Sequence, residues 1–415
     1  METIVTLIQN IAGFIWGGKW GDTVVIPGEM GPLAILLLGT GLLLMIRLGG
    51  RPVRRFIPAL VEVWQGRKAQ GEDGAITPWQ ALSTALSGQV GTGNLAGVAT
   101  AIAMGGPGAI FWMWVTALFG MALAFSESSL AIKYRETDEY GRINGGPMYY
   151  IKNGLGKKWG WLAVIFCLGT LFSAMATGSM IQANSITQTA VETARGTFGL
   201  SLPAWLFGIV IAGLVFAVII GGIKSIGSVA GKIVPLMAAA YVICALIVLI
   251  LNASEIPHAF AVIFKSAFGL QEVVGGAAGY GMMQAVRFGI ARGLFSNEAG
   301  QGSAPIAHAA AQTKNPVQQG EIAMIGVFID TIVICTMTAL VILTVSGDFK
   351  RNPALIAANQ CIVEGHATLP EGANVEELFP SAYTEGREAI LADKGGDAQG
   401  FLQACRAAGL DLTKD

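Results

Sequence analysis

Charge is scarce in this sequence: 13% of the 415 residues are charged, 53% are hydrophobic, and the net charge is −1. In ordinary soluble domains about a quarter of the residues are charged, so this shortage excludes a soluble protein of average composition. Because the chain has almost no net charge and no basic domain, nucleic acid is not an expected partner. The composition predicts an integral membrane protein surrounded by membrane lipid.

Cysteine and histidine are also rare, with five and three residues, and neither shows the spacing of a metal site. Three cysteines lie in apolar runs and are interpreted as small core residues: Cys167, Cys244 and Cys335. The histidines show no pairing and are predicted to lie on the surface: His258, His308 and His366. Motifs of the P-loop, HExxH and GxSxG types are missing. We therefore expect neither an enzyme nor a resident cofactor, and no obligate protein partner is evident.

Long apolar segments dominate what is present, and a transmembrane helix needs about 20 such residues. These segments predict an all-α polytopic membrane domain over residues 25–346, with about eight spans. The predicted spans are about 25–46, 77–104, 109–131, 159–188, 203–222, 233–251, 262–288 and 322–345.

The two ends of the chain differ from this domain. Residues 1–24 have apolar residues at helical spacing, Trp16 and Trp20 as anchors, and too little length to span, which predicts an interfacial amphipathic segment. Its first residues lack the basic region of a cleaved signal peptide, so the segment is expected to be retained. Residues 347–415 have no span-length apolar run and more acids than bases, which predicts an extracytoplasmic polar tail.

Basic residues indicate the orientation. Arg47, Arg51, Arg54 and Arg55 follow the first span, and a second basic loop, 133–158, follows the third span. Loops rich in lysine and arginine remain in the cytoplasm, so both loops are predicted to be cytoplasmic and the N-terminus extracytoplasmic. The expected location is the cell (inner) membrane, as a multi-pass protein.

The second predicted span is interrupted by glycine and polar residues. Four glycines fall within residues 88–97, and each weakens a helix by roughly 1 kcal/mol relative to alanine. A helix broken in hydrocarbon leaves backbone groups that only protein or a polar cavity can satisfy. Helix N-termini favour a carboxylate and unwound carbonyls favour a hard cation, so we predict that the break binds a small zwitterion and Na⁺. The predicted substrate residues are Gly91, Thr92, Gly93 and Asn94, of which Thr92 and Asn94 are also predicted Na⁺ ligands.

Simpler interpretations of this break remain open at the sequence level. Glycines also allow two membrane helices to pack closely. Thr92 and Asn94 are residue types that cap helices. The glycine spacing also fits a dinucleotide-binding fingerprint, although no strand leads into it.

Other spans carry further candidates. Gln182, in the fourth span, is an uncharged donor and acceptor that suits a zwitterion, although an interhelical hydrogen bond explains it equally well. Asp330 lies within the eighth span, where a carboxylate is costly, and is predicted to bind Na⁺ or to pair with a buried arginine. A second interruption is predicted at 275–281, with Gly279 and Gly281 beside the substrate. Three polar residues are placed in a cytoplasmic loop, as a gate, helix cap or ligand: Asn297, Glu298 and Ser303.

Residues 105–120, GGPGAIFWMWVTALFG, resemble along their whole length the signature motif of the sodium:alanine (alanine or glycine:cation) symporter family. Three other stretches are similar to the same family: 91–97, 178–185 and 293–300. The resemblance implies a LeuT-like transporter with a peripheral helix and two inverted repeats of five helices. It also implies sodium-coupled symport of alanine or glycine into the cell, with Na⁺ as the coupling ion.

The same resemblance implies about eleven spans, whereas about eight are predicted here, so the second inverted repeat is expected to be incomplete. On this resemblance, the second span corresponds to the first broken helix of repeat one and the seventh span to the first broken helix of repeat two. Two alternatives follow: a truncated, non-transporting or channel-like membrane protein of the same fold, or a proton-coupled amino-acid carrier.

Overall fold

The structure is a computed structural model that describes residues 2–21, 23–26, 30–68, 74–269 and 276–345. Gly275 and the predicted polar tail, 347–415, lie outside the described residues, so the predictions made for them are not addressed by the structure.

Helices make up most of the described chain. The α-helices are α1 (Glu2–Gly17), α2 (Pro32–Arg47), α3 (Arg51–Arg54), α4 (Phe56–Gln65), α5 (Pro78–Gln89), α6 (Val98–Gly105), α7 (Ala109–Lys133), α8 (Pro147–Tyr150), α9 (Gly160–Ser173), α10 (Gln182–Phe198), α11 (Ala204–Ile219), α12 (Gly222–Leu251), α13 (Ile256–Ala267), α14 (Gly276–Asn297), α15 (Ser303–Ala309), α16 (Pro316–Val327) and α17 (Thr336–Val345).

Short segments of other types join or continue these helices. Four π-helical segments are Gly93–Gly97, Ile151–Leu155, Ala174–Ile181 and Phe328–Cys335. Short 3₁₀ turns are Gly66–Lys68, Lys157–Trp159 and Ala253–Glu255. Two antiparallel hairpins are formed by β1 (Lys19–Trp20) with β2 (Thr23–Val24), and by β3 (Glu136–Thr137) with β4 (Ile143–Asn144).

Four helical stretches of the described chain are long and apolar enough to cross a membrane: Ala109–Lys133, Lys157–Phe198, Gly222–Leu251 and Pro316–Val345. Shorter apolar helices include Pro32–Arg47 and Ala204–Ile219. None of the residues of α9 or α11 is buried by protein, although both helices are strongly apolar. Such faces are stable only in contact with lipid or further protein. The prediction of a polytopic helical membrane protein is confirmed.

The described chain divides into two compact units. The first consists of residues 2–99, 113–251 and 290–339, apart from the undescribed gaps, and the second consists of 100–112, 252–269, 276–289 and 340–345. In the first unit the core is formed by α5, α7 and α16, whose Leu82, Phe125 and Met324 pack in one apolar cluster. Most residues of α16 are buried, so this helix is a central element of the unit.

In the second unit, the signature motif forms a packed corner. Gly108 lies so close to α13 that a Cβ atom there would come within 2.4 Å of the backbone nitrogen of Ala267. The Trp112 indole Nε1 donates to the Ala267 carbonyl at 3.3 Å, and the rings of Phe111 and Phe268 lie 4.9 Å apart. The glycine and the aromatic residues of the motif therefore serve one close contact between a helix start and α13.

The predicted interruption of the second span is confirmed. Thr77 and Gln80 form a reciprocal capping box at the start of α5, and the helix ends at Gln89. Val90 is extended (ψ 100°), which turns the chain out of the helix, and the next helical segment is the π-helical Gly93–Gly97. An extended residue between two helical segments leaves backbone groups free to line a cavity.

The second predicted interruption is wrong for residues 276–281, which lie in the continuous helix α14. Glycine is common in membrane helices, because the helix satisfies its own backbone where no water competes. The break instead follows α14: Glu298 (φ 51°), Gly300 (φ 90°) and Gly302 (φ 85°) adopt left-handed backbone, and the chain resumes a helix at α15. Alternate left-handed residues cannot continue a right-handed helix.

Backbone pairing joins the segment before α5 to the segment after α15. The Ala75 N–H donates to the Ala310 carbonyl at 2.8 Å, and the Gln312 N–H donates to the Ile76 carbonyl at 2.8 Å. The Arg135 guanidinium extends this clamp by donating to three carbonyls, those of Ala309, Ala311 and Thr313, at 3.0, 2.8 and 2.7 Å. The helices α5 and α15 also pack against each other.

An ion-pair cluster around the buried Glu321 connects the basic segment after α2 to the middle of α16. Glu321 is 1% exposed, and its Oε1 lies 2.7 Å from Arg51 Nη2 and 3.2 Å from Arg55 Nε. Glu62 lies 3.4 Å from Arg55 Nη2. Burial, and next the negative charge of Glu321, raise the pKa of Glu62 to about 7. Two of the arginines predicted to mark a cytoplasmic loop therefore also hold that segment against the core.

His308 corrects the prediction that all histidines lie on the surface. Its side chain is 1% exposed, and its Nδ1 lies 2.6 Å from Gln319 Nε2. Burial lowers the pKa of His308 to about 3, so the ring is neutral at physiological pH. A single amide partner 11 positions away in the chain leaves no motif from which this pairing could be recognised.

Candidate functional site

A cavity of about 980 Å³ opens in the first unit, and both helix breaks contribute to its wall. Residues 87–96 form one side and Phe295, Glu298, Gln301 and Ser303 another. The remaining wall comes from the fourth span, including Gln182, and from Tyr241 on α12. Polar side chains at helix breaks within an otherwise apolar cavity are typical of solute sites in membrane transporters.

Gln182 lies directly over the first break. Its Oε1 accepts a hydrogen bond from the Thr92 backbone N–H at 3.2 Å. A Cβ atom on Gly91 would lie 3.1 Å from the Gln182 amide, so any other residue here would push the amide away by a few tenths of an ångström. The π-helical segment Ala174–Ile181 ends immediately before Gln182, and such segments re-aim a side chain within a helix. Residues 90 positions apart in the chain are thereby brought into one wall.

Asn94 faces both the break and the protein interior. Its Oδ1 accepts a hydrogen bond from the Gly91 N–H at 2.8 Å, which closes the turn of the break. Its Nδ2 donates to Asp330 Oδ1 at 2.7 Å and to Ser296 Oγ at 3.1 Å. By contrast, the Thr92 side chain makes no capping hydrogen bond. The capping interpretation therefore fits Asn94 but not Thr92.

The carboxylate of Asp330 is fully buried (0% exposed) at the centre of a polar cluster. Besides the Asn94 amide, the hydroxyls of Ser296 and Thr331 donate to its Oδ2, both at 2.8 Å. Cys335 Sγ lies 3.4 Å from Asn94 Nδ2. We call Asn94, Ser296, Asp330 and Thr331 the carboxylate cluster. Asp330, Thr331 and Cys335 all belong to the π-helical segment Phe328–Cys335, which interrupts the regular helix of the eighth span.

No lysine or arginine of the described residues forms an ion pair with Asp330; Arg51 and Arg55 bind Glu321 and Glu62 instead. The hydrogen-bond partners of the Asp330 carboxylate are neutral side chains. A buried carboxylate without a paired charge is unfavourable in a membrane protein, which makes this cluster a candidate for function. Of the two predictions for Asp330, the described residues provide no arginine for the ion pair.

The second break is held in place by interactions that the sequence did not reveal. Ser303 Oγ donates to Glu298 Oε2 at 2.6 Å, and the Gly300 N–H donates to Glu127, in α7. The Gln89 amide Nε2 donates to the Asn297 carbonyl at 2.9 Å, which connects the two breaks directly. The polar residues between 296 and 303 could have indicated a second helix break, but their position between predicted spans indicated a cytoplasmic loop.

The structure thus brings together Gly91, Thr92, Gly93, Asn94 and Gln182 at the cavity, with Asp330 next to Asn94. Gly281 is not among the described residues that line this cavity. A Cβ atom on Gly281 would meet no atom within 4 Å, so the position shows no close partner. The surroundings of Gly279 lie outside the described residues.

Long apolar helices and a cavity with polar side chains at two helix breaks define a polytopic membrane protein of the transporter class. The family model described as "Sodium:alanine symporter family" matches residues 21–365. The chain belongs to the sodium:alanine symporter family, a family of transporters, as the resemblance predicted.

Individual relatives support this assignment. An "Uncharacterized transporter" of Haemophilus influenzae is 44% identical over 88% of this chain and 76% of its own length. The "Sodium/alanine symporter AgcS" of Methanococcus maripaludis is 44% identical, over 85% of this chain and 72% of its own. The "Probable sodium/glutamine symporter GlnT" of Bacillus subtilis is 41% identical, over 80% of this chain and 67% of its own. The names of these relatives mention two different amino acids, alanine and glutamine.

Proposed function

We propose that this chain carries a small neutral amino acid, alanine or glycine, into the cell together with Na⁺. The observation that carries the proposal is the double role of Asn94, which lines the cavity and also donates to the buried carboxylate of Asp330. A residue common to both sites gives a direct physical route by which the ion and the amino acid stabilise each other's binding. Such coupling is typically about 1–3 kcal/mol.

The carboxylate cluster has the chemistry of a Na⁺ site. Na⁺ is a hard cation that prefers several oxygen ligands, and the cluster offers the Asp330 carboxylate with the Ser296 and Thr331 hydroxyls. Rotation of the Asn94 amide would turn its Oδ1 toward the same centre. The nearby Cys335 sulfur is too soft a ligand for Na⁺. We therefore assign Na⁺ to Asn94 and Asp330, and the other predicted ligand, Thr92, to the substrate side.

The first break supplies hydrogen-bond donors for the substrate carboxylate. The backbone N–H groups of residues 91–93 lie at the start of a helical segment, where the positive end of the helix dipole favours an anion. The Gln182 amide lies over Gly91, and while its Oε1 accepts from the Thr92 N–H its Nε2 offers a further donor to the substrate. On this proposal the substrate carboxylate replaces Asn94 Oδ1 and Gln182 Oε1 as the acceptor of the Gly91 and Thr92 N–H groups.

In the proposed LeuT-like mechanism, the helices that carry the breaks rock around a fixed site, as in many secondary transporters. The volume of the cavity does not indicate which amino acid is the substrate. At about 980 Å³ it lies at the upper end of the roughly 300–1,000 Å³ range of ligand pockets, far more than alanine fills. Glutamine, which the name of a relative mentions, therefore belongs among the test ligands.

The test is equilibrium binding of radiolabelled alanine, glycine and glutamine to the purified chain, in NaCl and in choline chloride at fixed pH and ionic strength. We expect Na⁺ to increase alanine affinity about 5- to 150-fold. Equal affinity in the two salts would refute sodium coupling, and a pH dependence in its place would favour the proton-coupled alternative. Saturable Na⁺-driven uptake into proteoliposomes supports a carrier, whereas binding without uptake identifies a non-transporting protein.

A further inference from the structure

Glu298 has an unusual backbone conformation. Its φ is 51°, and among the described residues it is the only non-glycine residue with left-handed backbone. The neighbouring left-handed positions are glycines, Gly300 and Gly302. A side chain makes this conformation costly, and glycine would adopt it freely. Non-glycine residues in such conformations concentrate at functional sites. The glutamate side chain at this position therefore invites a functional explanation.

The surroundings of Glu298 suggest a positively charged ligand. Among the described residues that line the cavity, Glu298 is the only one with a charged side chain. Ser303 Oγ donates to Oε2 at 2.6 Å, while Oε1 accepts no hydrogen bond within the described part of the chain. No lysine or arginine of the described residues forms an ion pair with Glu298. One carboxylate oxygen is thus fixed by a hydroxyl, and the other is available.

The donors and the carboxylate lie on neighbouring parts of the cavity wall. A Cβ atom on Gly88 would lie 4.0 Å from Glu298 Oε2, and one on Gly91 would lie 3.1 Å from the Gln182 amide. Gly88 and Gly91 are three positions apart in the segment that lines the cavity, so the carboxylate and the amide lie beside the same short stretch of chain. The site therefore presents donors for a carboxylate at Gly91 and Gln182, and an acceptor for a cation at Glu298.

We propose that Glu298 binds the α-ammonium group of the transported amino acid through its free carboxylate oxygen. This inference rests on the proposed function, because it takes an amino acid as the substrate. Hydrogen bonds between Glu127 and the Gly300 N–H and between Ser303 and Glu298 hold the second break, so the carboxylate is positioned before the substrate arrives. Ligands that lack an ammonium group should lose this interaction.

The main variant is Glu298→Gln, which keeps the shape of the side chain and removes its charge. Competition against radiolabelled alanine in NaCl compares alanine with lactate, in which a hydroxyl replaces the ammonium group. We expect wild-type protein to prefer alanine strongly, and Glu298→Gln to lose about 10- to 150-fold in alanine affinity, as for a charge-assisted hydrogen bond. Lactate affinity should change less than about threefold, so that the preference for alanine largely disappears.

Two further variants separate recognition from folding. Glu298→Gly relieves the backbone strain, so it should unfold at an equal or higher temperature and still lose alanine affinity. Glu139→Gln, an exposed carboxylate between β3 and β4, is the matched control and should bind both ligands like wild type. Na⁺-dependent thermal stabilisation should persist in Glu298→Gln, because the proposed Na⁺ ligands are unchanged.

The outcomes distinguish this inference from the proposed function. If wild-type protein binds no alanine, or binds it equally with and without Na⁺, the proposed function fails. If wild-type protein behaves as expected but Glu298→Gln binds alanine normally, the ammonium assignment alone is wrong. An equal loss of alanine and lactate affinity would also overturn it, because it would show that Glu298 only shapes the break.

Discussion

Replacement of Asp330 by asparagine removes one negative charge from the carboxylate cluster with almost no change in volume. In the wild-type protein the carboxylate is fully buried and accepts hydrogen bonds from Asn94, Ser296 and Thr331. An asparagine can keep the bond from Asn94, and the two hydroxyls can rotate to accept from its amide. The substitution therefore tests the charge and leaves the packing largely intact.

The magnitude follows from the burial of the site. Two unit charges 4 Å apart attract each other by about 4 kcal/mol at an effective dielectric constant of 20, and dehydration of the ion offsets part of this. We expect Asp330→Asn to weaken Na⁺ binding by about 2–4 kcal/mol, which corresponds to about 30- to 700-fold in affinity. Without Na⁺ the substitution is expected to stabilise the fold and not to weaken it, because the buried charge of the wild-type protein then lacks a counter-ion. The variant should unfold at the same or a higher temperature than wild type in choline chloride.

The assay is thermal unfolding as a function of NaCl, with choline chloride used to keep the ionic strength constant. Wild-type protein should gain stability as Na⁺ saturates its site, whereas Asp330→Asn should gain little over the same range. Glu139→Gln should follow wild type. A wild-type Na⁺ midpoint in Asp330→Asn would refute the assignment of Na⁺ to this carboxylate.

Three other predictions concern packing and pH. Gly293→Ala should lower stability by about 1–3 kcal/mol, because its Cβ atom would lie 2.0 Å from Thr116 Oγ1. Gly281→Ala, with open space around the new Cβ atom, should be neutral or gain about 0.5–1 kcal/mol and should bind alanine normally unless Gly281 contacts the substrate. For Glu62, whose pKa is raised to about 7, the folded protein holds a proton that the unfolded chain has released above about pH 4.5. The contribution of Glu62 to stability should therefore fall as pH rises from about 4.5 to beyond 7. Unfolding temperatures measured across this range should show a smaller pH dependence in Glu62→Gln than in wild type. An unchanged pH dependence would contradict the raised pKa of Glu62.

The first break could be predicted from the sequence because glycine and polar residues occur there together. Gly91, Thr92 and Asn94 combine weak helix formation with side-chain oxygens, and apolar packing explains only the glycines. The second break was misplaced because glycine density alone was used as the signal. Gly281 lies in a continuous helix, whereas the true break contains a glutamate in left-handed conformation, Glu298.

The carboxylate cluster was only partly predictable for a different reason. Asp330 could be singled out by its cost within a span, but its partners Asn94 and Ser296 are 236 and 34 positions away in the chain. Hydrophobic periodicity indicates which face of a helix is buried, but not which polar groups of distant helices meet there. The π-helical segment that carries Asp330 adds to the difficulty, because it shifts the register of the residues that follow it.

The backbone clamp between residues 75–76 and 310–312 has a mechanical consequence. Since α5 precedes the first break and α15 follows the second, the clamp and the Arg135 guanidinium tie together one half of each broken helix. These halves cannot tilt independently unless several hydrogen bonds rupture at once. We expect them to move together, with the bending at Val90 and Glu298, so that a movement at one of the two proposed ligand sites is transmitted to the other.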